Sequence, residues 1–454
     1  MRRRCLFLAS RAAKERLLLA RTSPAAKALS SAAVSTEHQT YDTLPPPAPS
    51  ESTSSQAPSS ATFAGGVELP LTSSLHIVKA ESQPRWPVYR VIDTDGALVP
   101  GAMEPELSTE LAMHMVTCMV RLRVMDHIFY NAQRQGRISF YMTSTGEEAT
   151  QICSAAALSG GDTVFGQYRE PGVLMWRGFS LQNFADQLFS NTDDLGRGRQ
   201  MPVHYGSSKL NFQTISSPLA TQIPQAVGAA YALKQQKLAQ VVACYFGDGA
   251  ASEGDFHAAM NFAATLECPV LFICRNNGYA ISTPVEDQYR GDGIVSRAPG
   301  YGMAAIRVDG NDALAVFAAT QEARRLALAE NRPVLLELMT YRVGHHSTSD
   351  DWSRYRMTEE VKDWQSHNDP LRRLLAYLHA KGLCDADMEQ AMRDTERLAV
   401  MAALEAAEKK GPPPLQSMFE DVYRDMPQHL LEQRAEMLAH VAKYPDKYPQ
   451  GRGH

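Results

Sequence analysis

Four short apolar runs mark the middle of this chain, at 241–246, 270–274, 304–308 and 334–341. Runs of this length, apolar at successive positions, read as strands buried on both faces. Between them, 252–267 and 312–330 carry helical patterns. Ser252 with Asp255 reads as a capping box, and Asn331 with Pro333 as a helix end. Strand–helix alternation of this kind predicts an α/β fold, a mainly parallel sheet flanked by helices. Ligands in such folds bind at the carboxyl ends of the strands.

Upstream, Leu107, Leu111, Met115, Cys118, Leu122, Met125 and Phe129 recur at steps of four or three. They line one face of a core-packing helix over 104–135. Downstream of Thr358 the chain turns charged and helical, with an amphipathic helix over 385–410 that Gly411 and Pro412 to Pro414 stop. The tail, 411–454, keeps enough aromatics (Phe419, Tyr423, Tyr444, Tyr448) to dock on a surface. Residues 41–60 hold five Pro and six Ser, too little apolar surface to fold, so 37–84 reads as a linker. Residues 85–410 are then one large α/β domain with a helical C-terminal extension.

Charge divides the chain. Residues 1–36 carry a net +7 and the remainder −12, for a total of −5. An Arg-, Ala- and Leu-rich, acid-poor start is the pattern of a mitochondrial transit peptide, which places the mature protein in the matrix. The acidic remainder excludes a general nucleic-acid binder, and no run is long and apolar enough for a membrane span. Seven cysteines without a CxxC or a His/Cys cluster read as buried thiols in a reducing compartment.

The chemistry sits at two strand ends. Gly247-Asp248-Gly249 closes the run at 241–246, and 26 residues later Asn276-Asn277 closes the run at 270–274. Neighbouring parallel strands would bring Asp248 and Asn277 to one sheet edge. A carboxylate, an amide oxygen and backbone carbonyls are hard ligands suited to Mg2+, which completes its shell with phosphate oxygens and water. The glycines let phosphate approach the backbone, and a helix starting near Ser252 offers N–H groups to an anion. This spacing matches the thiamine diphosphate fingerprint. A second tripeptide, Gly291-Asp292-Gly293, follows no strand, has no Asn pair at that distance, and reads as a surface turn.

The stretch from about 136 to 355 resembles the alpha subunits of mitochondrial branched-chain 2-oxo acid dehydrogenases, the thiamine-dependent decarboxylating component. The strings that carry the resemblance are GRISFYMTS, FGQYRE, GRQMPVHYG, ISSPLATQIPQAVGAAYA, GDGAASEGD, NFAATLECP, CRNNGYAISTP, QYRGDGI and RVGHHSTSDD. Weaker similarity runs to about 448. The pyruvate dehydrogenase alpha subunit, the alternative, shares the GDG/NN frame but differs around ISSPLATQ and has one histidine where this chain has His345-His346.

The resemblance implies a thiamine-diphosphate-binding fold and a set of sites. Asp248, Asn277 and the backbone oxygen of Tyr279 would hold Mg2+; relatives often carry Glu at the first position, also a carboxylate. Arg275, Tyr168 and Arg169 would meet the diphosphate, with Ser217, Gly249 and Ala250 completing the cofactor contacts. A buried Arg275 needs an anion. Ser216, Pro218, Thr221 and Gln222 would form a K+ site; read on its own, that stretch is a helix N-terminus capped by Ser216 or Ser217. His346 would be catalytic, a histidine able to exchange protons near neutral pH as the lipoyl disulfide opens. Ser347 matches an inhibitory phosphorylation site, which implies a kinase and a phosphatase. The second such site falls on Met357, which has no hydroxyl. Only the diphosphate half of a cofactor site is present. The resemblance therefore implies an alpha2-beta2 heterotetramer with a beta subunit, acting on 2-oxo acids and passing acyl groups to the lipoyl-bearing transacylase core.

Overall fold

The computed structural model describes residues 59–448. The expected transit peptide and the Pro-rich part of the expected linker lie outside the described residues. Residues up to Ile77 form a unit of their own. In it, Ser60–Phe63 pairs antiparallel with Val67–Pro70. Gly65 and Gly66 take positive φ in the turn, a conformation open to glycine without strain. The stretch expected as linker is thus not featureless here.

The second unit is built on a six-stranded sheet. Its strands are β1 (Thr163–Phe165), β2 (Phe212–Gln213), β3 (Val242–Gly247), β4 (Val270–Asn276), β5 (Ala304–Asp309) and β6 (Val334–Met339). All pairs are parallel, in the order β2-β1-β3-β4-β6-β5. The four strands expected from the sequence are β3 to β6, with ends shifted by one or two residues. β1 and β2 were not expected; at three and two residues they are too short to leave a pattern.

Alternate residues of the central strands feed two cores, as a period of two requires. Ala243, Tyr245, Leu271, Ile273, Leu336 and Leu338 face one layer. That layer holds α1 (Thr109–Arg134), α2 (Glu148–Ala156), α3 (Pro171–Trp176) and α4 (Leu181–Phe189). Val242, Cys244, Phe246, Phe272, Cys274 and Leu335 face the other, against α5 (Gln222–Gln235) and α6 (Gly254–Thr265). Each buried side chain of this size contributes about 1.5–3 kcal/mol. Helix α7 (Ala313–Glu330) joins the first layer, and Asn331 ends it in the left-handed region. α8 (Thr358–His367), α9 (Pro370–Ala380), α10 (Ala386–Glu408) and α11 (Gln428–Lys443) make up the helical C-terminal part. The six described cysteines are free and buried.

Several local expectations are corrected. α1 starts at Thr109 rather than 104, because the Ser108 hydroxyl accepts from Leu111 N and caps it there. Ser252 does not cap α6. It ends a 3-10 turn over Asp248–Ser252, and Glu253 precedes the helix without a side-chain cap. Neither Ser216 nor Ser217 caps α5, which begins after Thr221. The second GDG is no idle turn. Asp292 accepts from Trp86 N at 2.6 Å and pairs with the buried Arg307 at 3.0 Å. The helix α11 was not expected in the tail. Among the described residues no helix is long and apolar enough to cross a membrane.

Candidate active site

A cavity of about 470 Å³ opens at the carboxyl ends of β3 and β4. The register sets Gly247 beside Arg275, so the residues that follow leave the sheet together. Asp248, Gly249, Ala250, Arg275, Asn277 and Tyr279 all line the cavity. Tyr168, Arg169 and His346 reach it from other segments. The structure does not bring Ser217 there: it is exposed and lies outside the lining.

Asp248 is buried, and its Oδ2 accepts from Gln288 Nε2 at 2.7 Å. Burial raises its pKa, while the Gln288 bond and the Asn277 backbone pull it down. Asn277 donates through Nδ2 to Glu147 at 2.8 Å, which aims its Oδ1 elsewhere. That Oδ1 meets only Tyr279 N, at 3.2 Å. The Tyr279 carbonyl meets Arg342 at 3.4 Å. Gln288 Oε1, buried in the same corner, has no partner. A buried carboxylate held by a neutral amide, beside under-used oxygens, fits a small divalent cation. Among the described residues there is no cluster of three or more His, Cys, Asp or Glu able to hold a metal. This site would have one carboxylate, which suits an ion that takes its remaining ligands from phosphate and water.

Gly249 must be glycine. A Cβ there would lie 2.8 Å from the Cβ of Ala280. The neighbouring Asn276 does not line the cavity. It donates to Glu337 at 2.8 Å and to the Tyr289 hydroxyl at 3.0 Å, which anchors the strand end.

Arg275 lines the cavity, and the protein itself also supplies it with anions. Its Nη1 donates to Glu147 at 2.5 Å and its Nη2 to Glu170. Only its buried Nε lacks a partner. Glu170 also accepts from Gln167 N and Tyr168 N, at 2.8 and 2.9 Å, and so shapes the segment before α3. Arg169 ties two walls together: it donates to Thr143 O at 2.5 Å and to His346 O at 2.8 Å.

His346 follows β6 on a loop whose start Arg356 organises. The Arg356 guanidinium lies 5.3–5.6 Å from the ring centroids of Tyr279, Tyr341, Trp352 and Tyr355. It donates to Gly344 O at 2.8 Å and to Arg342 O. Glu360 on α8 accepts from Tyr279 and Tyr341 at 3.0 and 2.8 Å. His346 N donates to Asp350 at 2.7 Å. In the chain alone, the surroundings of His346 disfavour a second proton on its ring. Burial, then the charges of Arg169 and Arg342, push its pKa down to about 3. The unfolded chain binds this proton more readily than the folded one, so stability rises with pH between about 3 and the ordinary 6.5. Taking the protein prepared without cofactor from pH 7 to pH 5 is expected to lower its denaturant midpoint more in wild type than in His346→Gln. Equal losses in the two would remove the link to this residue. Ser347 is buried, its Oγ accepting from Ser349 N at 3.2 Å, while Met357 is exposed.

The K+ set lies apart from the cavity lining. Thr221 Oγ1 donates to Pro218 O at 2.9 Å, and Gln222 Nε2 to Tyr245 O at 3.0 Å. The buried Gln222 Oε1 has no partner, the kind of oxygen a monovalent cation would use. Ser216 is exposed. Sequence reasoning missed Glu147, Glu170, Arg342 and Arg356. The first three stand inside or beside quoted strings (GEE, QYRE, RVGHH), but no local pattern marks them as buried partners.

Residues 116–416 match the family described as dehydrogenase E1 component. The mitochondrial 2-oxoisovalerate dehydrogenase subunit alpha of Homo sapiens is 56% identical over 363 residues, 80% of this chain and 82% of that protein. Its counterpart in Caenorhabditis elegans is 51% identical over 391 residues, covering 86% and 90%. The mitochondrial subunit alpha 1 of Arabidopsis thaliana is 52% identical over 389 residues, covering 86% and 82%.

Proposed function

The chain belongs to the dehydrogenase E1 component family, and on that premise we propose that it is the alpha subunit of a mitochondrial branched-chain 2-oxo acid dehydrogenase. The reading includes thiamine diphosphate dependence, decarboxylation of 2-oxo acids derived from valine, leucine and isoleucine, and the mitochondrial matrix as its compartment. One observation carries it: Asp248 and Asn277, just past the ends of adjacent strands, share a single cavity with Arg169 and His346. The pyruvate alternative loses ground because these relatives, matching over 80% or more of the chain, are named for 2-oxoisovalerate.

The finer assignments belong to the same proposal. Asp248, Asn277 and the Tyr279 carbonyl would hold Mg2+. Arg169, Tyr168, Gly249 and Ala250 would face the diphosphate, with Arg275 steadied by Glu147 and Glu170. Pro218, Thr221 and Gln222, with Ser216, would hold K+. When bound, thiamine diphosphate supplies the nucleophile and the electron sink for loss of carbon dioxide. The chain's own residues orient it, exclude water and hold a proton at His346. A beta subunit would supply the other half of the site in an alpha2-beta2 heterotetramer, and the lipoyl arm of a transacylase core would collect the acyl group. Ser347 would accept an inhibitory phosphate from a kinase once its loop opens, and a phosphatase would remove it. About two negative charges there would disturb the Arg169–His346 contact.

The test uses the chain co-expressed with its beta partner. Calorimetry with thiamine diphosphate and Mg2+ is expected to show uptake. Carbon dioxide release should then favour 3-methyl-2-oxobutanoate over pyruvate by at least about tenfold in kcat/KM, the scale of discrimination that added methyl groups allow. No uptake would remove the enzyme reading, and a preference for pyruvate would remove the substrate assignment.

A further inference from the structure

The segment from Tyr141 to Glu148 bonds to three parts of the chain that help wall the cavity: Arg169, the pair Arg275 and Asn277, and the 342–348 loop. Thr143 O accepts from Arg169, and Thr145 O accepts from Val343 N at 3.1 Å. Tyr141 and Thr348 are joined twice: Thr348 N donates to Tyr141 O at 3.1 Å, and Tyr141 N donates to Thr348 Oγ1 at 3.2 Å. Glu147 holds both Arg275 and Asn277. Whatever fixes this segment therefore fixes Arg169 and the loop that carries His346.

Beneath it lies Asp126 on α1, 1% exposed. Its Oδ1 accepts from the Tyr141 hydroxyl at 2.9 Å and its Oδ2 from Ser144 N at 2.5 Å. It forms no ion pair among the described residues. Burial pushes its carboxyl up to about 7, with the Ser144 N–H and the Tyr141 hydroxyl pulling the other way. A buried carboxylate without a cation is a costly way to fill space. Two hydrogen bonds that both end on one eight-residue segment give it another use.

We propose that Asp126 is a positioning residue: it fixes the 141–148 segment and, through Thr143 and Tyr141, sets Arg169 and the His346 loop against the cavity. The geometry stands alone; only the consequence for cofactor binding rests on the proposed function. Asp126→Ala removes both acceptors. Asp126→Asn keeps the shape and can keep both bonds, its Oδ1 accepting from Ser144 N and its Nδ2 donating to the Tyr141 oxygen.

Hydrogen exchange on the full chain with its beta partner, without cofactor, reads the positioning directly. In Asp126→Ala, amides of 141–148 and 343–348 are expected to exchange at least about tenfold faster, with β3 and β4 unchanged. The KM for thiamine diphosphate should rise by a similar factor while kcat at saturating cofactor falls much less. Asp126→Asn should restore both readouts. Should the alanine variant fail to fold, Tyr141→Phe removes one of the two bonds and is expected to show a smaller rise confined to the same segments. Unchanged exchange there, an equal rise throughout the sheet, or failure of asparagine to restore would each overturn the proposal. Lack of cofactor uptake by the wild type would remove the proposed function and leave the exchange result standing.

Discussion

Replacing Asp248 by alanine is expected to abolish metal-dependent retention of thiamine diphosphate while leaving the fold intact. The carboxylate is the only anionic oxygen in the proposed Mg2+ set; the other two members are an amide and a backbone carbonyl. Changing a supporting contact of a metal site costs roughly 10–100-fold in affinity, so losing the sole charged ligand should exceed that. The fold should survive for a separate reason. Among the described residues the buried Asp248 has no cationic partner, and burial raises its pKa, so its charge is a cost to the folded chain when no cation is present. Its one side-chain bond, from Gln288, leaves a donor that can turn to the nearby Thr283 carbonyl, which it already meets at 3.0 Å. Calorimetry of the reconstituted complex with Mg2+ and cofactor, paired with thermal melting, separates the two effects. Wild-type cofactor content in the variant would contradict the assignment, and so would loss of the folded state.

What could be read in the sequence was whatever sits next to its own cause. Asp248 and Asn277 directly follow β3 and β4, so the pattern that makes a strand also places the proposed ligands. His346 follows β6 in the same way. What could not be read depends on pairs far apart in the chain. Arg275 meets Glu147 across 128 positions and Glu170 across 105. Alone, Arg275 reads as a cation awaiting an anion; the structure shows its guanidinium already paired with Glu147 and Glu170, with Arg169 also within 3.9 Å of Glu147. Asp126 and Tyr141 are closer in sequence, yet a carboxylate in an otherwise apolar helical stripe gives no sign of what it holds. β1 and β2 are visible only through the sheet that they extend. Helix starts were misplaced where a serine stood near a helix whose cap position was taken by Thr221 or Glu253.

The second large effect concerns His346 and follows from its surroundings. Its Nδ1 faces Arg169 Nη2 at 3.4 Å. A guanidinium can only donate, so Nδ1 carries the lone pair and the single proton of the neutral ring sits on Nε2. Burial and two arginines keep the ring neutral, so its chemistry is hydrogen-bond donation from Nε2 to developing negative charge. Opening a lipoyl disulfide creates such a charge: the sulfur–sulfur bond breaks and one sulfur leaves as a thiolate. Carbon dioxide release followed with an artificial oxidant creates no thiolate. His346→Ala is therefore expected to lower acyl transfer to a lipoyl domain by about 10²–10³, the cost of losing one donor at a developing anion. It should lower oxidant-coupled decarboxylation by less than about tenfold on the same grounds. Any shared loss comes through Arg169, which in the alanine variant loses its 3.4 Å contact with the ring Nδ1 but keeps its bond to the His346 carbonyl. Equal losses in the two assays would show that the ring positions the site as a whole, and the role assigned to Nε2 would fall.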